Sequence, residues 1–479
     1  MVGIVAFGAY VPRLRLNRQA VYDANKWIAP GLRGHAKGER AMANWDEDSI
    51  TMAVEAVRDC LTGFAADKVK TLYFASTTLP FQDRQNAGVI SAAMMMEQPL
   101  AASDMAGSLK AGTSALIAGL NAAGAGPTLV TAADKRMARV ASAAELQYGD
   151  GAAAFLLGTE NVVAKLVAHH SVSQDFVDHF RGTESDYDYG WEERWIRDEG
   201  YVKIVPPALK AALAAAKLKG TDIQHFIMPS LMAAVPKQMA KMAGVAETAV
   251  RDSLGAKLGD TGVAHPLLML VHALEDAKPG DHVMVAAFGQ GLDVLIFQVT
   301  PDLAKLPKRL GLAGWLERRK EEKNYMKYLS FNEMLPIEKG MRAEFDKKTA
   351  MSVLWRKRDM LYGLVGGKCR KCKTVQFPRA QVCVNPDCRE MDTQDAYPMA
   401  DLKPSILSFT ADELTYTPDP PAYYGMITFP EGGRFMADFT DCDKEQVKVG
   451  TQMRMTFRIR DNDLMRGGFK RYFWKAAPC

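Results

Sequence analysis

Short apolar runs alternate with alanine-rich stretches over roughly the first 300 residues. Residues 71–76 read as a buried strand, and residues 88–96 after them as a helix rich in alanine and methionine. This alternation is typical of βα units packed around mixed sheets. The same pattern predicts further strands at 127–132, 152–157, 225–229 and 283–289 and a helix at 205–219.

The order of strands and helices repeats. A second half starts near residue 161, and its strands and helix follow one another much as those of the first half do. Two similar halves are expected of an internally duplicated α/β fold. We therefore predict one half at 1–160 and the other at 161–300.

Residues 301–366 differ from both halves because charged, helix-favouring sequence dominates them, as in 316–323. One interpretation is a solvated helical linker. The other is a helical arm that packs on the first domain or on a partner. Both predict helix through the charged run.

The C-terminal part has a strand pattern of its own. Apolar runs at 406–409, 424–429, 434–439 and 453–459 are separated by turns rich in proline, glycine and aspartate. Short strands at this spacing are typical of a small β-barrel. We assign the barrel to 401–479 and a metal-binding ribbon to 367–400.

Four cysteines define that ribbon. Cys369 and Cys372 form one close pair, and Cys383 and Cys388 form another. Four thiolates on two turns are the ligand set of a structural zinc ion, which leaves no open coordination position. Unrelated cysteines or a redox CxxC pair are the alternatives, but a redox motif normally opens a helix, whereas these flanks are turn-like.

Composition narrows the class of protein. Lys and Arg total 60 against 56 for Asp and Glu, so no overall field attracts nucleic acid or an anionic membrane. We find no apolar run long enough for a spanning helix and no secretory leader at the N-terminus. Cys60, Cys442 and Cys479 show no pairing pattern. The sequence thus predicts a cytoplasmic protein.

Several motifs resemble two known families joined in one chain. Residues 1 to about 300 resemble the HMG-CoA synthase branch of the thiolase superfamily, and about 345–479 resemble the zinc-ribbon and OB-fold domain that accompanies thiolase-like enzymes. The second match includes QFP at 376–378 and the strand ending at 472–473. The first match is carried by GAYVP at 8–12, DEDSITMA at 46–53, KAGT at 110–113, GDGA at 149–152, RWIR at 194–197, GDTG at 259–262 and GQG at 289–291.

The resemblance implies an α/β protein with a duplicated five-layered thiolase-like fold. It also implies a catalytic cysteine, glutamate and histidine, and this chain lacks all three. Leu109 stands at the expected cysteine, Thr77 at the glutamate and Ile227 at the histidine. Leucine and isoleucine neither attack a carbonyl nor move a proton, so the acyl-cysteine route is closed unless another thiol, such as Cys60, lies at the pocket floor.

Neighbouring polar residues are candidate replacements. Ser108 and His225 lie one and two residues from the expected nucleophile and histidine, although a capping serine and a loop histidine are the ordinary alternatives. His265 follows a glycine-rich turn and is a candidate to polarise a thioester oxygen or a packed histidine. Asp83 and Arg84 are a candidate acid/base and anchor pair or a surface salt bridge.

The resemblance also implies coenzyme A thioesters as ligands. Lys110, Gly289 and Gly291 are the predicted substrate-binding residues. Other basic residues are candidates for the CoA phosphates, or ordinary surface charges: Arg136, Arg194, Arg197 and Lys203. Three aromatic residues of the barrel are candidates to cover the tunnel or stack on adenine, or core residues: Tyr423, Tyr424 and Phe429.

Two functions remain open. In one, the chain is a pseudoenzyme subunit that binds acyl-CoA within a complex that forms or cleaves carbon–carbon bonds, and an active thiolase-like subunit is a candidate partner. In the other, it is a cysteine-independent aldolase or lyase acting on a β-hydroxyacyl-CoA or β-ketoacyl-CoA, using an acid/base and oxyanion donors. Thiolase-like domains pair through their central strands, so the resemblance also implies a homodimer.

Overall fold

The computed structural model describes residues 1–96, 99–343 and 350–479. Their contacts define two compact units. The first contains Met1–Asn44, Asp48–Gly88 and Met96–Tyr328; the second contains Trp45–Glu47, Val89–Met95 and Leu329–Cys479. Among the described residues, no helix is long and apolar enough to cross a membrane.

The first unit is built on a mixed sheet with helices packed against it. Its strands are β1 Gly3–Tyr10, β2 Leu14–Asn17, β3 Glu39–Met42, β4 Thr71–Ala75, β5 Ala101–Met105, β6 Thr128–Asp134, β7 Gly151–Gly158, β8 Ala164–Ser173, β9 His179–Phe180, β10 Tyr189–Gly190, β11 His225–Ile227, β12 His282–Phe288, β13 Gly291–Val299 and β14 Lys320–Glu322. Its helices, of which α3 and α11 run on into the second unit, are α1 Arg18–Asn25, α2 Ser49–Cys60, α3 Asn86–Ala93, α4 Ala111–Ala122, α5 Ala143–Gln147, α6 Glu193–Trp195, α7 Val202–Ala216, α8 Val235–Met242, α9 His265–Asp276, α10 Gly311–Glu317 and α11 Tyr325–Phe331.

The main sheet shows the predicted duplication. Its nine strands run in the order β11-β12-β13-β8-β1-β7-β6-β4-β5. In one half, β4 pairs parallel with β6, and β6, β7 and β1 continue antiparallel. In the other half, β11 pairs parallel with β12, and β12, β13 and β8 continue antiparallel. The halves join where β1 pairs with β8, and β5 extends only the first half.

Close packing holds helix α4 against the sheet. A Cβ on Gly119 would lie 2.5 Å from Val130 Cγ2 of β6 and 2.7 Å from Leu157 Cδ1 of β7. Such distances are far below van der Waals contact, so glycine is what lets the helix approach. In the first turn of α4, a Cβ on Gly112 would lie 3.5 Å from Ala132 Cβ, so the N-terminal end of the helix lies near the carboxyl end of β6.

The charge-dense run is not helical throughout, so the prediction of helix across it is wrong. Helix α10 ends at Glu317, and Lys320–Glu322 form β14, which pairs parallel with β2. The side chains of β14 alternate between half-buried and exposed, as expected of a strand with one face towards the protein and the other towards water. Part of the predicted linker therefore belongs to the first unit.

The second unit consists of a ribbon and a small set of paired strands. The ribbon sheet has the order β16-β15-β17, and the following strands form a three-stranded sheet, β18-β19-β20, and a hairpin, β21-β22. Its elements are α12 Met351–Arg356, α13 Arg358–Leu361, β15 Val365–Cys369, β16 Val375–Gln376, β17 Gln394–Pro398, β18 Ser405–Asp412, β19 Ala422–Thr428, β20 Arg434–Asp438, β21 Met453–Asp463 and β22 Phe469–Pro478.

A cluster of buried charges lies inside the second unit. The Arg458 guanidinium is 3.0 Å from Glu47 and 2.9 Å from Asp441. Lys475 Nζ donates to Asp46 at 2.8 Å. Because buried charges persist only when paired, Asp46 and Glu47 are integral to this unit although they lie far from it in sequence.

Candidate functional site

The four ribbon cysteines come together in space. Cys369 ends β15, Cys372 follows it, and the ligand sulfur atoms of all four cysteines lie within 4.8 Å of one another. The Sγ atoms of Cys369 and Cys388 are 3.9 Å apart, and those of Cys372 and Cys383 are 3.5 Å apart. Four sulfurs at about 2.3 Å from one tetrahedral zinc ion are about 3.8 Å apart, so these positions fit zinc.

The surroundings also favour thiolate in the first pair. A hydrogen bond with Thr393 Oγ1 is the main influence that lowers the pKa of Cys369 to about 6, and one with Thr374 Oγ1 lowers that of Cys372. Metal binding requires the deprotonated form, so part of that requirement is already met.

In the first unit, Thr77 lies just beyond β4 and is bound to a buried carboxylate. Asp134, the last residue of β6, accepts hydrogen bonds from Thr77 N at 2.7 Å and Thr77 Oγ1 at 2.9 Å. Ser76 Oγ and Val263 N also donate to it, both at 3.0 Å. Burial raises the pKa of Asp134, while these hydrogen bonds act to lower it. Thr77 therefore helps to hold a carboxylate in place.

Leu109 lies at the start of α4 in a tight arrangement with the turn after β12. Ser108 Oγ donates to Gly289 O at 2.7 Å and accepts from Lys110 N at 3.3 Å. A Cβ on Gly289 would lie 2.8 Å from Lys110 N. Gly291 has a φ of +110°, and a Cβ there would overlap Val172 O at 1.9 Å. The Ser108 hydroxyl thus binds backbone groups just before α4, and Gly289 permits the close approach of the two segments.

These two regions meet through one backbone segment. Val263, whose N–H binds Asp134, has its carbonyl oxygen 2.3 Å from the Cβ that a residue at Gly112 would carry. Gly112 is in the first turn of α4, three residues after Leu109. The positions of Thr77 and Leu109 therefore border one region, at the carboxyl ends of β4 and β6.

The histidine position lies on the neighbouring strand. Ile227 ends β11, is fully buried, and pairs with Val285 of β12, the strand that leads to Gly289. His225 begins β11, and its Nε2 is 3.1 Å from Asp281 Oδ2. A residue at the amino end of this strand cannot take the place of one at its carboxyl end. His225 is thus separated from the Leu109 region.

His265 has both ring nitrogens engaged by its own surroundings. Thr261 N donates to Nδ1 at 3.1 Å, so Nε2 carries the proton and donates to Ser253 O at 2.8 Å. Burial lowers the pKa of His265 and keeps the ring neutral. These contacts are those of a packed histidine at the start of α9.

Asp83 lies at the surface of the protein, and Cys60 lies in the core. Asp83 is exposed in a bend between β4 and α3, and the Arg84 guanidinium lies 4.4 Å from the Phe81 ring centre. Cys60 ends α2, where its backbone crowds the position that a Cβ on Gly8 would occupy. Burial raises the pKa of the Cys60 thiol to about 12. The thiol of Cys60 is therefore neutral and buried in the core.

Lys110 forms an ion pair with a buried carboxylate. Its Nζ is 3.4 Å from Asp293 Oδ1, and Asp293 also accepts from Ser114 Oγ at 2.6 Å and Thr113 Oγ1 at 3.1 Å. The lysine thus neutralises Asp293 between α4 and β13. The other basic candidates are Arg136, which is buried, and the surface residues Arg194, Arg197 and Lys203, which pair with Glu192, Asp198 and Glu199.

The structure also shows a polar network that the sequence did not reveal. Arg136 NH2 donates to Asp260 Oδ2 at 2.7 Å, and Arg136 NH1 is 3.7 Å from Asp188. Tyr148 donates to Asp188 at 3.0 Å, and its ring lies 3.7 Å from the Arg136 guanidinium. Arg181 links Asp188 to the carbonyl oxygen of Thr77. Ionisable groups are therefore connected to Thr77 through Arg181.

In the barrel, the aromatic candidates divide between core and surface. Phe429 is buried, whereas Tyr423 and Tyr424 are half-buried. Tyr424 donates to Asp412 across the β18–β19 pair at 3.3 Å. Phe429 is thus a core residue, and Tyr423 and Tyr424 retain accessible surface.

Three family models match parts of this chain. Residues 213–298 match the C-terminal part of 3-oxoacyl-[acyl-carrier-protein] synthase III. Residues 360–392 match the rubredoxin-like zinc ribbon domain of ChsH2, and residues 404–458 match its C-terminal OB-fold domain. The predicted pairing of a thiolase-like part with a zinc ribbon and an OB fold is confirmed.

Relatives and solved structures agree with the first of these matches. Hydroxymethylglutaryl-CoA synthase of Caldivirga maquilingensis is 28% identical over 337 residues, or 68% of this chain and 95% of that protein. The Archaeoglobus fulgidus synthase is 28% identical over 333 residues, covering 67% and 95%. MvaS in complex with 3-hydroxy-3-methylglutaryl coenzyme A has a TM-score of 0.58 at 18% identity, covering 70% and 92%. HMG-CoA synthase complexed with CoA has a TM-score of 0.57 at 17% identity, covering 73% and 95%.

The first unit thus has the thiolase-like α/β fold with its large mixed sheet, as predicted. The chain is similar to HMG-CoA synthases over this unit and carries ChsH2-type zinc ribbon and OB-fold domains after it.

Proposed function

We propose that this protein binds acyl-CoA in its thiolase-like unit, without forming an acyl-cysteine, as a component of a system that forms or cleaves carbon–carbon bonds. The main observation behind this proposal is Leu109, just before α4, which has a hydrocarbon side chain. The hydroxyl of Ser108 is hydrogen-bonded to Gly289 O, and the Cys60 thiol is buried in the core. The relatives that are HMG-CoA synthases, one of them solved with CoA, support the acyl-CoA ligand.

The experiment combines binding with intact-protein mass spectrometry. We expect the wild-type chain to bind acetyl-CoA and acetoacetyl-CoA and to gain no acyl group. The Leu109→Cys variant should gain one, because a thiol at a helix N-terminus has a lowered pKa and meets the thioester. Leu116→Cys, a buried leucine of the same helix, is the matched control and should stay unmodified. An adduct on wild-type Ser108 or Cys60 would contradict the proposal.

A second candidate function is cysteine-independent cleavage of a β-hydroxyacyl-CoA. The network around Arg136 favours it, because Asp260, Asp188 and Tyr148 put ionisable groups beside Thr77, where the related enzymes carry their acid/base. Cleavage of 3-hydroxy-3-methylglutaryl-CoA into acetyl-CoA and acetoacetate by the purified chain is the direct measurement. If no cleavage occurs and a co-purifying thiolase-like subunit is activated instead, the assembly role is favoured.

We also propose one structural zinc ion bound by Cys369, Cys372, Cys383 and Cys388, a cytoplasmic location with reduced thiols, and a homodimer. The dimer is proposed from the resemblance to thiolase-like domains, and strand β5, at an edge of the nine-stranded sheet, is where a second copy would pair in this chain. Light scattering on the eluted protein should give twice the mass of the 52.6 kDa chain. A monomer at micromolar concentration would contradict this proposal.

A further inference from the structure

We propose that Asp260 is the proton-transfer residue of a cysteine-independent reaction on a β-hydroxyacyl-CoA. This inference rests on acyl-CoA binding as proposed above and adds the residue that replaces the missing acid/base.

Position is the first reason. Asp260 precedes the short turn Gly262–Ala264, and Gly262 N donates to Asp260 Oδ1 at 3.0 Å. The next residue, Val263, contacts both the carboxylate that binds Thr77 and the first turn of α4. Asp260 is therefore built into the backbone segment that joins the former glutamate and cysteine positions.

Access is the second reason. The Asp260 side chain keeps 19% of its surface exposed, compared with 6% for Asp188, and Asp134 is fully buried. Asp134 Oδ1 and Oδ2 are shared among several donors. Each Asp260 oxygen accepts one short side-chain or backbone hydrogen bond, from Gly262 N or Arg136, and a carboxylate oxygen has a second lone pair. Of these three carboxylates, Asp260 has the most room for a substrate hydroxyl.

Charge is the third reason. Burial acts to raise the pKa of Asp260, but the Arg136 guanidinium outweighs it and holds the pKa below its ordinary value. Asp260 is therefore ionised near neutral pH and ready to accept a proton. Burial raises the pKa of Tyr201, and Asp178 and Asp260 raise it further, so the phenol near this carboxylate stays protonated.

The chemical step balances within the substrate. Asp260 accepts the proton of the β-hydroxyl, the C3–O bond becomes a carbonyl, and the C2–C3 bond breaks with its electron pair moving to C2. The resulting thioester enolate takes the same proton back at C2. The products are a ketone or aldehyde and a shortened acyl-CoA, and no oxidant or reductant is needed.

The reverse of the last step, removal of a proton from C2, gives a test that needs no knowledge of the natural substrate. In D2O, Asp260 removes a C2 proton of acetyl-CoA and returns deuterium, which mass spectrometry of the thioester detects. We expect Asp260→Asn to slow this exchange by about 10²–10⁴-fold, the usual contribution of a general base. Asp260→Glu should retain part of the rate. The matched control is Asp276→Asn, which removes a carboxylate from an Asp–Arg pair of 2.6 Å outside the site and should leave exchange unchanged.

The pH profile supplies a readout that a structural role would not move. The charged and titratable groups around Asp260 are Arg136, His265, Tyr148, Asp188 and Tyr201. With Asp260 as base, exchange by the wild type should stay level from about pH 8 down to about pH 5, because a carboxylate of lowered pKa remains ionised. A fall centred near about pH 6.5 would identify a histidine instead and overturn the assignment.

The outcomes separate the two proposals. Exchange that survives Asp260→Asn, with acetyl-CoA binding intact, overturns the role of Asp260 and leaves acyl-CoA binding standing. A wild type that binds acetyl-CoA but neither exchanges deuterium nor cleaves 3-hydroxy-3-methylglutaryl-CoA overturns the role of Asp260 and favours the assembly role. A wild type that does not bind acetyl-CoA overturns the proposed function itself.

Discussion

In the zinc ribbon, four reactive side chains from separate turns meet with their sulfur atoms within 4.8 Å of one another. In the thiolase-like unit, Thr77 and Leu109 border one region, and we propose that they stand where related enzymes carry reactive side chains. In both places the fold brings together residues from different parts of the chain, but only in the ribbon do they form a ligand set that the sequence predicts. A fold keeps a site's geometry through packing and glycine contacts, independently of the groups that once reacted there.

Removing the metal site should give the largest effect. The Cys383→Ser variant should lose the zinc ion and the folded ribbon, because zinc contributes about 10–16 kcal/mol in small zinc domains. Metal analysis and thermal unfolding measure both losses. Cys479→Ser changes an exposed cysteine and should keep one zinc per chain. Full zinc content in Cys383→Ser would show that the ribbon is not the metal site.

A smaller loss is expected at the carboxylate that Thr77 binds. Asp134→Asn places an amide where several donors point, and unfolding in denaturant should show a loss of about 3 kcal/mol. Thr77→Val removes one of these donors and should cost about 1 kcal/mol. If both variants were as stable as the wild type, Thr77 and Asp134 would not be needed for stability, and the case for a catalytic role would be stronger.

The pH dependence of stability offers a third test. Burial raises the pKa of Glu275 in α9 from 4.5 to about 7. Folding therefore favours the protonated carboxyl. The contribution of Glu275 to the free energy of unfolding is complete below the pKa of the unfolded state and is lost as the pH rises through the pKa of the folded state. Relative to the Glu275→Gln variant, the free energy of unfolding of the wild type should fall by about 1–2 kcal/mol between about pH 4.5 and 8.

The neighbouring Asp276 gives the control for that experiment. Its hydrogen bond with Arg251 is the main cause that lowers its pKa. The contribution of Asp276 to the free energy of unfolding is therefore present above the pKa of the unfolded state and is lost as the pH falls. Asp276→Asn should therefore change the pH profile with the opposite sign. A Glu275→Gln profile that parallels the wild type would show that Glu275 is not protonated by folding.

The smallest effect is expected at Ser108, beside Leu109. Ser108→Ala removes the hydrogen bond to Gly289 and should lower the free energy of unfolding by about 1 kcal/mol. Deuterium exchange and acetyl-CoA binding should remain close to wild type. If exchange falls with the stability unchanged, Ser108 takes part in the chemistry and the contrast with the ribbon weakens.

The apolar strands and the zinc site were predictable because each signal is local. The run at 71–76 became β4, Thr71–Ala75, and the run at 283–289 became β12, His282–Phe288. The cysteine spacing located the ribbon before any coordinates. These features depend on neighbours in sequence, so propensity and spacing were sufficient to find them.

Features that depend on distant partners were missed. Strand β14 is charged, and only its pairing with β2 makes it a strand. The network of Arg136, Asp188 and Asp260 joins residues from separate loops, and no motif marks it. The one available signal was Asp260 itself, an acidic residue within the GDTG motif at 259–262, which was used to recognise the family and not as a candidate site.

The bond between Lys475 Nζ and Asp46 spans 429 residues of the chain. On a ribosome, Asp46 therefore emerges 429 residues before Lys475. The second unit can close around its charges only after the intervening chain has been made. Until then the carboxylates of Asp46 and Glu47 remain hydrated. The order in which these residues are synthesised therefore differs from the order in which they pack in the folded unit.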